Sequence, residues 1–549
     1  MRSPCLALLA FALLNVLPAS AQRLPTNVAP SHYDLAFVVD LARERFEGTE
    51  TIRIQVTEPT VKVVLNAFEI QFHQVTIGAG ASAQAATVTL DEASQTATFT
   101  VPKPLAKGDT EIHATFTGVL NTQLRGFYIS KTKLRTYAVT QFESTDARRA
   151  FPCFDEPSFK ATFAVTLTID RGDTAISNGR VVSDVPGPAI TQHTLKFSTT
   201  AKMSSYLVAM AVGDFKCVEG AADAIPIRIC ATPDKRDLTR IALDSAQQVL
   251  RYYDSYYAVK YPFGKLDVVA VPDFAAGAME NTGAIFYRET DLLADTKSAS
   301  VDTRKNIASI LAHEMAHQWF GDLVTMQWWD DIWLNEGFAT WMANKPLAAA
   351  HPDWNIDVDE AEENQTALAL DSLNATRPIH SDVATPAQID EAFDAIAYQK
   401  GAAVLRMLES YVGAETFKKG INAYLQAHAY GNATSEDFSK SIASTSGKPV
   451  ERILPTFVNQ PGVPLIDVSI ACVTNRTAVT LTQRRFVIDA ARAGGGRWQI
   501  PICVKAPGQS AATCDLMTDV SKTINLAGPC APWVFANAGA HGYYRTAYP

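Results

Sequence analysis

Two histidines and two glutamates in the middle of the chain have the types and spacing of a catalytic metal site. His313 and His317 enclose Glu314, and Glu336 follows farther along. Residues four apart share one helix face, so both imidazoles can reach one metal ion, and Glu336 can add a third ligand. Three protein ligands leave a position open for water, as in catalytic rather than structural zinc sites. Glu314 lies beside the ligands, placed to take a proton from that water. The pattern predicts one Zn²⁺ ion and a zinc-dependent peptidase.

Two predicted helices position these groups. The first carries apolar residues at helical spacing and ends at a glycine; these residues are Ile307, Ile310, Leu311, Met315, Trp319 and Gly321. Glu336 falls within the second, an apolar stretch at residues 333–342. A five-residue motif can arise by chance, but the helical context favours a metal site.

Length and composition limit the classes of protein to consider. The 549 residues are too many for one hydrophobic core, so three or four domains are expected. The chain is 47% hydrophobic and 19% charged, as in ordinary globular proteins. A net charge of −9 without basic runs gives no reason to expect binding to nucleic acid or to an anionic membrane.

The N-terminus has the pattern of a secretory signal. Met1-Arg2 precedes an apolar stretch from Cys5 to Val16, and Ala19-Ser20-Ala21 offers a small-residue cleavage site. We therefore expect residues 1–21 to be removed and the protein to be secreted or periplasmic; an uncleaved anchor is the alternative. No later stretch is long and apolar enough to span a membrane.

Seven cysteines remain after removal of the signal, and an oxidising compartment permits disulfides. Cys217 with Cys230 and Cys503 with Cys514 flank possible hairpins. Pairing of Cys472 with Cys530 would then leave Cys153 over. The sequence alone does not fix this connectivity.

Changes in pattern along the chain predict an α+β multidomain protein. Residues 22–232 are rich in short β-branched stretches and indicate a β-sandwich-like domain. Residues 233–456 are mostly helical in period, and Gln460-Pro461-Gly462-Val463-Pro464 breaks that pattern. Residues 457–549 return to short strands, with Gly494-Gly495-Gly496 as one turn, and predict a small β-sandwich.

Motifs along the whole chain resemble those of the gluzincin aminopeptidases, which include membrane alanyl aminopeptidase and the leukotriene hydrolases. The HExxH helix continues into Trp319-Phe320-Gly321-Asp322, and Trp333-Leu334-Asn335-Glu336-Gly337 follows. Gly277-Ala278-Met279-Glu280-Asn281 is similar to the family's exopeptidase signature. Gln141-Phe142-Glu143, Phe151-Pro152-Cys153-Phe154-Asp155-Glu156-Pro157 and Tyr398-Gln399-Lys400-Gly401-Ala402 are similar to its other motifs.

The resemblance implies a thermolysin-like middle domain and a role for each motif residue. Zinc would be held by His313, His317 and Glu336, with Glu314 as general base and Tyr398 stabilising the oxyanion. Glu280 and Glu143 would bind the substrate's α-ammonium, because carboxylates pair with that cation and disfavour a blocked, neutral N-terminus. Gln141, Ala278 and Met279 would border the first side-chain pocket, and the signature also includes Gly277 and Asn281.

The resemblance also separates two branches of the family. The leukotriene hydrolases have glutamine at the position of Glu143, and Gly-Gly where this chain has Gly277-Ala278. The sequence therefore favours the aminopeptidase branch. Most members add a fourth, helical domain that closes over the site, whereas this chain ends near the end of the third. Either the chain is truncated, or the lid is absent or supplied by a partner chain.

Three functions remain open at this point. The favoured one is a secreted zinc aminopeptidase acting on peptides with a free N-terminus. An endopeptidase with an open cleft is disfavoured, because an internal peptide bond brings no ammonium to neutralise Glu280 and Glu143. A non-catalytic binding scaffold would be expected to lose Glu314 or a ligand, and none is lost. A catalytically weak binding scaffold that lacks its helical lid domain stays open as an alternative.

Overall fold

The structure is a computed structural model that describes residues 23–489 and 495–549. The predicted signal at residues 1–21 lies outside the described residues, as does Gly494 of the predicted glycine turn. Among the described residues, no helix combines the length and apolar composition needed to cross a membrane.

Residues 28–213 form mostly strands, along which inward-facing and outward-facing side chains alternate. The strands are β1 (Val28–Asp40), β2 (Arg45–Val56), β3 (Thr60–Asn66), β4 (Gln71–Ile77), β5 (Gln84–Ala85), β6 (Thr87–Asp91), β7 (Thr96–Leu105), β8 (Gly108–Val119), β9 (Gly126–Lys131), β10 (Thr136–Gln141), β11 (Thr162–Asp170), β12 (Thr174–Ser177), β13 (Val181–Pro186), β14 (Gln192–Phe197) and β15 (Met210–Gly213). In β2, Phe46, Ile52 and Ile54 are buried while their neighbours along the strand are more exposed. This period of two is what a sheet with one face on the core requires.

These strands form three sheets. The largest has eight strands in the order β13-β14-β11-β1-β2-β8-β4-β5, in which β1 pairs parallel to β11 and antiparallel to β2. A four-stranded sheet has the order β12-β15-β10-β9, and a three-stranded sheet has the order β3-β7-β6. The prediction of a β-rich N-terminal domain is confirmed.

A short turn precedes the last of these strands. Residues 205–207 form a 3₁₀ turn, and β15 begins at Met210. The hydroxyl of Ser205 donates to Asp155 Oδ1 at 2.7 Å, and that of Ser204 donates to the Pro157 carbonyl at 2.8 Å. Such side-chain bonds compete with a strand ladder and favour turns.

The middle of the chain combines a five-stranded sheet with helices. The strands are β16 (Lys216–Ala222), β17 (Ile225–Ala231), β18 (Leu266–Val271), β19 (Ala278–Met279) and β20 (Ala284–Arg288), in the order β16-β17-β18-β20-β19. Strands β16 and β17 precede the predicted domain boundary at residue 232, but β17 pairs with β18, which follows it. The sheet therefore joins residues on both sides of that boundary.

The helices of this region, with a short two-stranded sheet between them, pack around the predicted metal site. In chain order, these helices and the two short strands are α1 (Arg240–Tyr256), α2 (Glu289–Leu292), α3 (Val301–His317), β21 (Val324–Met326), α4 (Trp333–Ala350), α5 (Ile356–Leu370), α6 (Pro386–Glu391), a π-helix (Ile396–Lys400), α7 (Gly401–Val412), α8 (Ala414–His428), β22 (Gly431–Ala433), α9 (Ser435–Ser446) and α10 (Val450–Val458). The predicted helices around His313 and Glu336 are α3 and α4.

The C-terminal part returns to strands, as predicted. They are β23 (Val463–Val473), β24 (Arg476–Phe486), β25 (Ile500–Val504), β26 (Thr513–Met517), β27 (Ser521–Asn525) and β28 (Arg545–Ala547). Four of them form a sheet in the order β27-β24-β23-β28, and β25 pairs with β26. The α+β organisation expected from the sequence is confirmed.

The disulfide pairs are those that the cysteine spacing favoured. Cys217 bonds to Cys230 across β16 and β17, and Cys503 bonds to Cys514 across β25 and β26. Cys472 bonds to Cys530, and Cys153 is free and buried.

Candidate active site

Helices α3 and α4 bring together the three predicted zinc ligands. Helix α3 begins after Ser300, whose hydroxyl accepts the Thr303 amide as an N-cap, and ends at His317. The chain then turns at Gly321, where φ is +131° and where a Cβ atom would come within 3.2 Å of side-chain atoms of His317 and Asn335. A glycine permits both this conformation and this close approach.

The three ligand side chains have the mutual spacing of a tetrahedral zinc site. Glu336 Oε2 lies 3.2 Å from His313 Nε2 and 3.3 Å from His317 Nε2, and the two imidazole nitrogens are 3.0 Å apart. With metal–ligand bonds of about 2.0–2.2 Å, tetrahedral ligand atoms lie roughly 3.3–3.5 Å from one another. The three donor atoms are therefore spaced so that they could hold one zinc ion together.

The remaining nitrogen of His317 supports this assignment. Its Nδ1 lies 2.9 Å from the Phe320 carbonyl oxygen, to which it can only donate. This bond places the proton on Nδ1 and leaves the lone pair of Nε2 free to bind a metal ion. The Nε2 atoms of His313 and His317 are 3.0 Å apart, so a proton or a cation must lie between them. A metal ion bound by both histidines and Glu336 would meet this need.

Burial and the charge of His317 have opposite effects on the carboxyl groups of this site. Burial alone would raise the pKa of Glu336, but the charge that His317 carries when both its nitrogens are protonated, together with hydrogen bonds from both histidines, lowers it to about 2. Burial also raises the pKa of Glu314 well above its usual range, although the charge of His317 opposes this. Glu314 is 6% exposed and lines the same cavity as the ligands.

A second group of carboxylates lies beside the ligands. Oxygens of Glu143, Glu280 and Glu336 all lie within 4.8 Å of one another. Oε1 of Glu143 and Oε1 of Glu280 are buried and accept no hydrogen bond from any described residue. Burial, and then the charges of Glu280 and Glu336, raise the pKa of Glu143 well above its usual range. Burial also raises the pKa of Glu280, against the effect of His317. His317 Nδ1 lies 4.0 Å from Glu280 Oε1, too far for a hydrogen bond, so both Oε1 atoms are buried without a hydrogen-bond donor among the described residues.

The exopeptidase signature contributes residues to the cavity and to its support. Ala278 lines the cavity with Glu280, whereas Met279 and Asn281 are buried behind it. Met279 Sδ accepts a hydrogen bond from the amide of Gln141, which lines the cavity, and Asn281 donates to the Leu207 carbonyl. Gly277 does not line the cavity; its carbonyl accepts the Arg288 amide at 2.8 Å.

Tyr398 lies on the π-helix, a feature that the sequence did not predict. The Lys400 amide donates to the carbonyl of Ala395, five residues earlier, which is the π-helical spacing. Asp394 anchors the start of this segment, since its Oδ1 accepts the amides of Ile396 and Ala397. The tyrosine ring stacks on His313 with centroids 5.9 Å apart. Burial, and then the charge of Glu336, raise the pKa of the phenol well above its usual value, so it is a hydrogen-bond donor at neutral pH.

One cavity of about 490 Å³ is bordered by the three predicted ligands and by Gln141, Glu143, Ala278, Glu280, Glu314 and Tyr398. Its described lining also includes residues that the sequence did not single out, namely Ser144, Ala275, Ala276, Asp390 and Phe393. Asp390 Oδ1 accepts a hydrogen bond from Ser144 at 3.0 Å. The position of Ser144 next to Glu143 was an available signal, but nothing in the residue types marked Asp390 or Phe393.

Comparisons with known proteins agree with this geometry. A model of the peptidase M1 N-terminal domain matches residues 29–207, and a model of the peptidase family M1 domain matches residues 241–457. Aminopeptidase M1-A of Oryza sativa subsp. japonica is 39% identical over 542 residues, which cover 96% of this chain and 61% of that protein. Aminopeptidase 2, mitochondrial, of Saccharomyces cerevisiae is 38% identical over 551 residues, covering 98% and 56%.

A third relative, the alanine/arginine aminopeptidase of Saccharomyces cerevisiae, is 39% identical over 479 residues, covering 85% of this chain and 55% of that protein. The chain thus spans between half and two thirds of the length of these relatives. The two domain models fall on the β-rich N-terminal part and on the helical part that holds the candidate site. Together they match most of the chain, which belongs to peptidase family M1.

Proposed function

We propose that the chain is a zinc-dependent aminopeptidase that hydrolyses the first peptide bond of peptides with a free N-terminus. The observation that carries this proposal is that Oε1 of Glu143 and Oε1 of Glu280, beside the ligand Glu336, accept no hydrogen bond from any described residue. An α-ammonium bound there would neutralise them and would place the first peptide bond next to the metal. The relatives named above are aminopeptidases, which supports the same reaction class.

His313, His317 and Glu336 would hold one zinc ion. When bound, zinc supplies a Lewis acid that polarises the scissile carbonyl and acidifies the attacking water. Glu314 would accept a proton from that water on a carboxylate oxygen and pass it to the leaving amine nitrogen. The Tyr398 hydroxyl would donate a hydrogen bond to the carbonyl oxygen as it becomes negative.

An endopeptidase function is less compatible with the cavity. An internal peptide bond would bring an uncharged backbone to Glu143 and Glu280 and leave both carboxylates desolvated without a cation. Burying unpaired charge costs several kcal/mol, of order 3–5 when one partner of a buried pair is missing. A binding scaffold without catalysis would not require Glu314 in the same cavity as the three ligands.

We also propose that the protein acts in an oxidising, extracytoplasmic compartment. The signal-like pattern of residues 1–21 supports export. The disulfides Cys217–Cys230, Cys472–Cys530 and Cys503–Cys514 are consistent with it, because such bonds persist in oxidising compartments.

The proposal is tested by metal removal on matched substrates. Purified protein is assayed with leucyl-p-nitroanilide and with its N-acetylated counterpart, before and after chelation and after addition of zinc. We expect the free amine to be hydrolysed at least about 100-fold faster than the acetylated substrate. At least about 99% of the activity should be lost on chelation and should recover when one equivalent of zinc is added. Hydrolysis of the acetylated substrate at a comparable rate, or activity that survives complete zinc removal, would contradict the proposal.

The charge of the cavity predicts a preference among peptides. Its described lining contains five carboxylates, Glu143, Glu280, Glu314, Glu336 and Asp390, and neither lysine nor arginine. We therefore expect tetrapeptides with Lys in the first or second position to be cleaved with higher kcat/KM than the same peptides with Glu.

Asp390 is exposed at the cavity. Because solvent screens its charge, Asp390→Asn should reduce the Lys-to-Glu ratio of kcat/KM only about threefold.

The control for this variant is Asp382→Asn, which removes an exposed carboxylate that does not line the cavity. It should leave the Lys-to-Glu ratio unchanged. An equal preference for Lys and Glu in the unmodified protein would show that the cavity charge does not select substrates.

A further inference from the structure

A buried ion pair anchors the segment that carries Tyr398. Lys400 is two residues after Tyr398 and closes the π-helix. Its Nζ lies 2.8 Å from Asp371 Oδ2, and both side chains are fully buried. Asp371 is the residue at which helix α5 ends. Buried ion pairs contribute little net stability but strongly constrain geometry, since moving one charge away leaves the other unpaired.

The third member of this group comes from the C-terminal strands. The hydroxyl of Tyr543, which is 0% exposed, donates to Asp371 Oδ2 at 3.1 Å, and its ring centroid lies 5.7 Å from Lys400 Nζ. The other oxygen of Asp371 accepts the Thr376 hydroxyl at 2.7 Å and the Gly462 amide at 2.8 Å. We call Lys400, Asp371 and Tyr543 the Lys400 cluster; it connects the π-helix to α5 and to the C-terminal domain.

A close contact between two glycines holds the π-helix against α4. A Cβ atom on Gly337 would come within 3.1 Å of both the Ala397 carbonyl oxygen and the Gly401 Cα atom. Gly337 follows the ligand Glu336, and Gly401 follows Lys400. The backbones of α4 and of the π-helix therefore meet at the closest spacing that glycine permits. The segment that carries Tyr398 therefore has two anchors, this glycine contact and the Lys400 cluster.

We infer that Tyr543 and Asp371 are positioning residues for Tyr398, and that they act by holding Lys400 and thereby the π-helical turn against α4. The inference rests on the proposed function of Tyr398. A π-helical turn contains one more residue than an α-helical turn and is uncommon without tertiary support. If Lys400 were released and the turn relaxed by one residue, the side chain of Tyr398 would rotate by about 100° around the helix axis and leave the cavity.

The first test does not depend on activity. Tyr543→Phe removes only the hydroxyl that bonds Asp371, and Tyr544→Phe is the matched control. Tyr544 is the next residue, it is also buried, and its hydroxyl donates to the Ala536 carbonyl at 2.9 Å, away from the cluster. Loss of one hydrogen bond should accelerate hydrogen exchange of amides 396–401 about fivefold in Tyr543→Phe, and not in Tyr544→Phe. Equal exchange of this segment in both variants would overturn the inference.

The second test uses kinetics and separates positioning from general stability. In Tyr543→Phe we expect kcat to fall about fivefold with KM unchanged, and in Tyr544→Phe we expect neither to change. In a Tyr398→Phe background, Tyr543→Phe should cause no further loss of kcat, because it acts through the hydroxyl already removed. A full additional fivefold loss there would overturn the inference. If the unmodified protein hydrolyses no peptide, the proposed function fails, and the exchange result still decides whether the cluster holds the π-helix.

Discussion

Glu314→Gln should reduce kcat for leucyl-p-nitroanilide by about 10³-fold while the protein still binds one zinc ion per chain. The substitution keeps the size of the side chain and removes the oxygen that can take a proton from water, and general bases contribute about 10²–10⁴-fold. Glu314 is not one of the three side chains whose donor atoms face one another at 3.0–3.3 Å. Zinc binding should therefore be unaffected.

Zinc content by mass spectrometry of the metal and kcat by steady-state kinetics check this prediction together. Glu391→Gln, at an exposed position of helix α6, is the control and should match the unmodified protein in both. If Glu314→Gln lost its zinc, Glu314 would be part of the metal site rather than a base beside it. If it kept both zinc and full activity, the assigned role would be wrong.

Glu280→Gln should lower kcat/KM for substrates with a free α-amine by at least about 30-fold. Glu280 is 3% exposed, and its Oε1 has no hydrogen-bond partner among the described residues. A substrate ammonium would supply that partner, and losing one member of a desolvated charge pair costs about 2–5 kcal/mol. Because N-acetylated substrates bring no charge, their slow hydrolysis should be unchanged or slightly faster, so the ratio of free to blocked substrates falls.

The ratio of kcat/KM values for alanyl- and N-acetylalanyl-p-nitroanilide measures this effect independently of enzyme concentration. Glu289→Gln is a suitable control, because Glu289 pairs with Lys235 outside the cavity. An equal loss on both substrates in Glu280→Gln would indicate damage to the metal site instead of loss of ammonium binding.

The sequence predicted the parts of the site that depend on local pattern. His313, Glu314 and His317 needed only helical spacing, and α3 provides it. Glu336 was predicted as the third ligand from its position after these histidines. The likeness to a family then placed Glu280, Glu143 and Tyr398 near it, and the structure brings all four to one cavity. Residue type and motif order were sufficient here, because each of these side chains lies in a short recognisable segment.

Features that depend on long-range packing could not be predicted in this way. The π-helix at residues 396–400 has no distinct hydrophobic period, and its geometry depends on Asp394, on Gly337 and on the Lys400 cluster. Asp371 and Tyr543 are 172 residues apart, so no local pattern could relate them. The pairing of β17 with β18 likewise crosses the point at which the composition changes from strand-rich to helical.

The most direct test of the central claim is to identify the products formed from one peptide over time. A decapeptide with a free N-terminus and its N-acetylated form are incubated separately with the zinc-loaded protein, and the fragments are identified by mass spectrometry. We predict stepwise loss of single residues from the free N-terminus, while the acetylated peptide stays largely intact over the same time. Internal fragments, or cleavage of the acetylated peptide at a similar rate, would show that Glu143 and Glu280 do not select the peptide's N-terminus and would contradict the account.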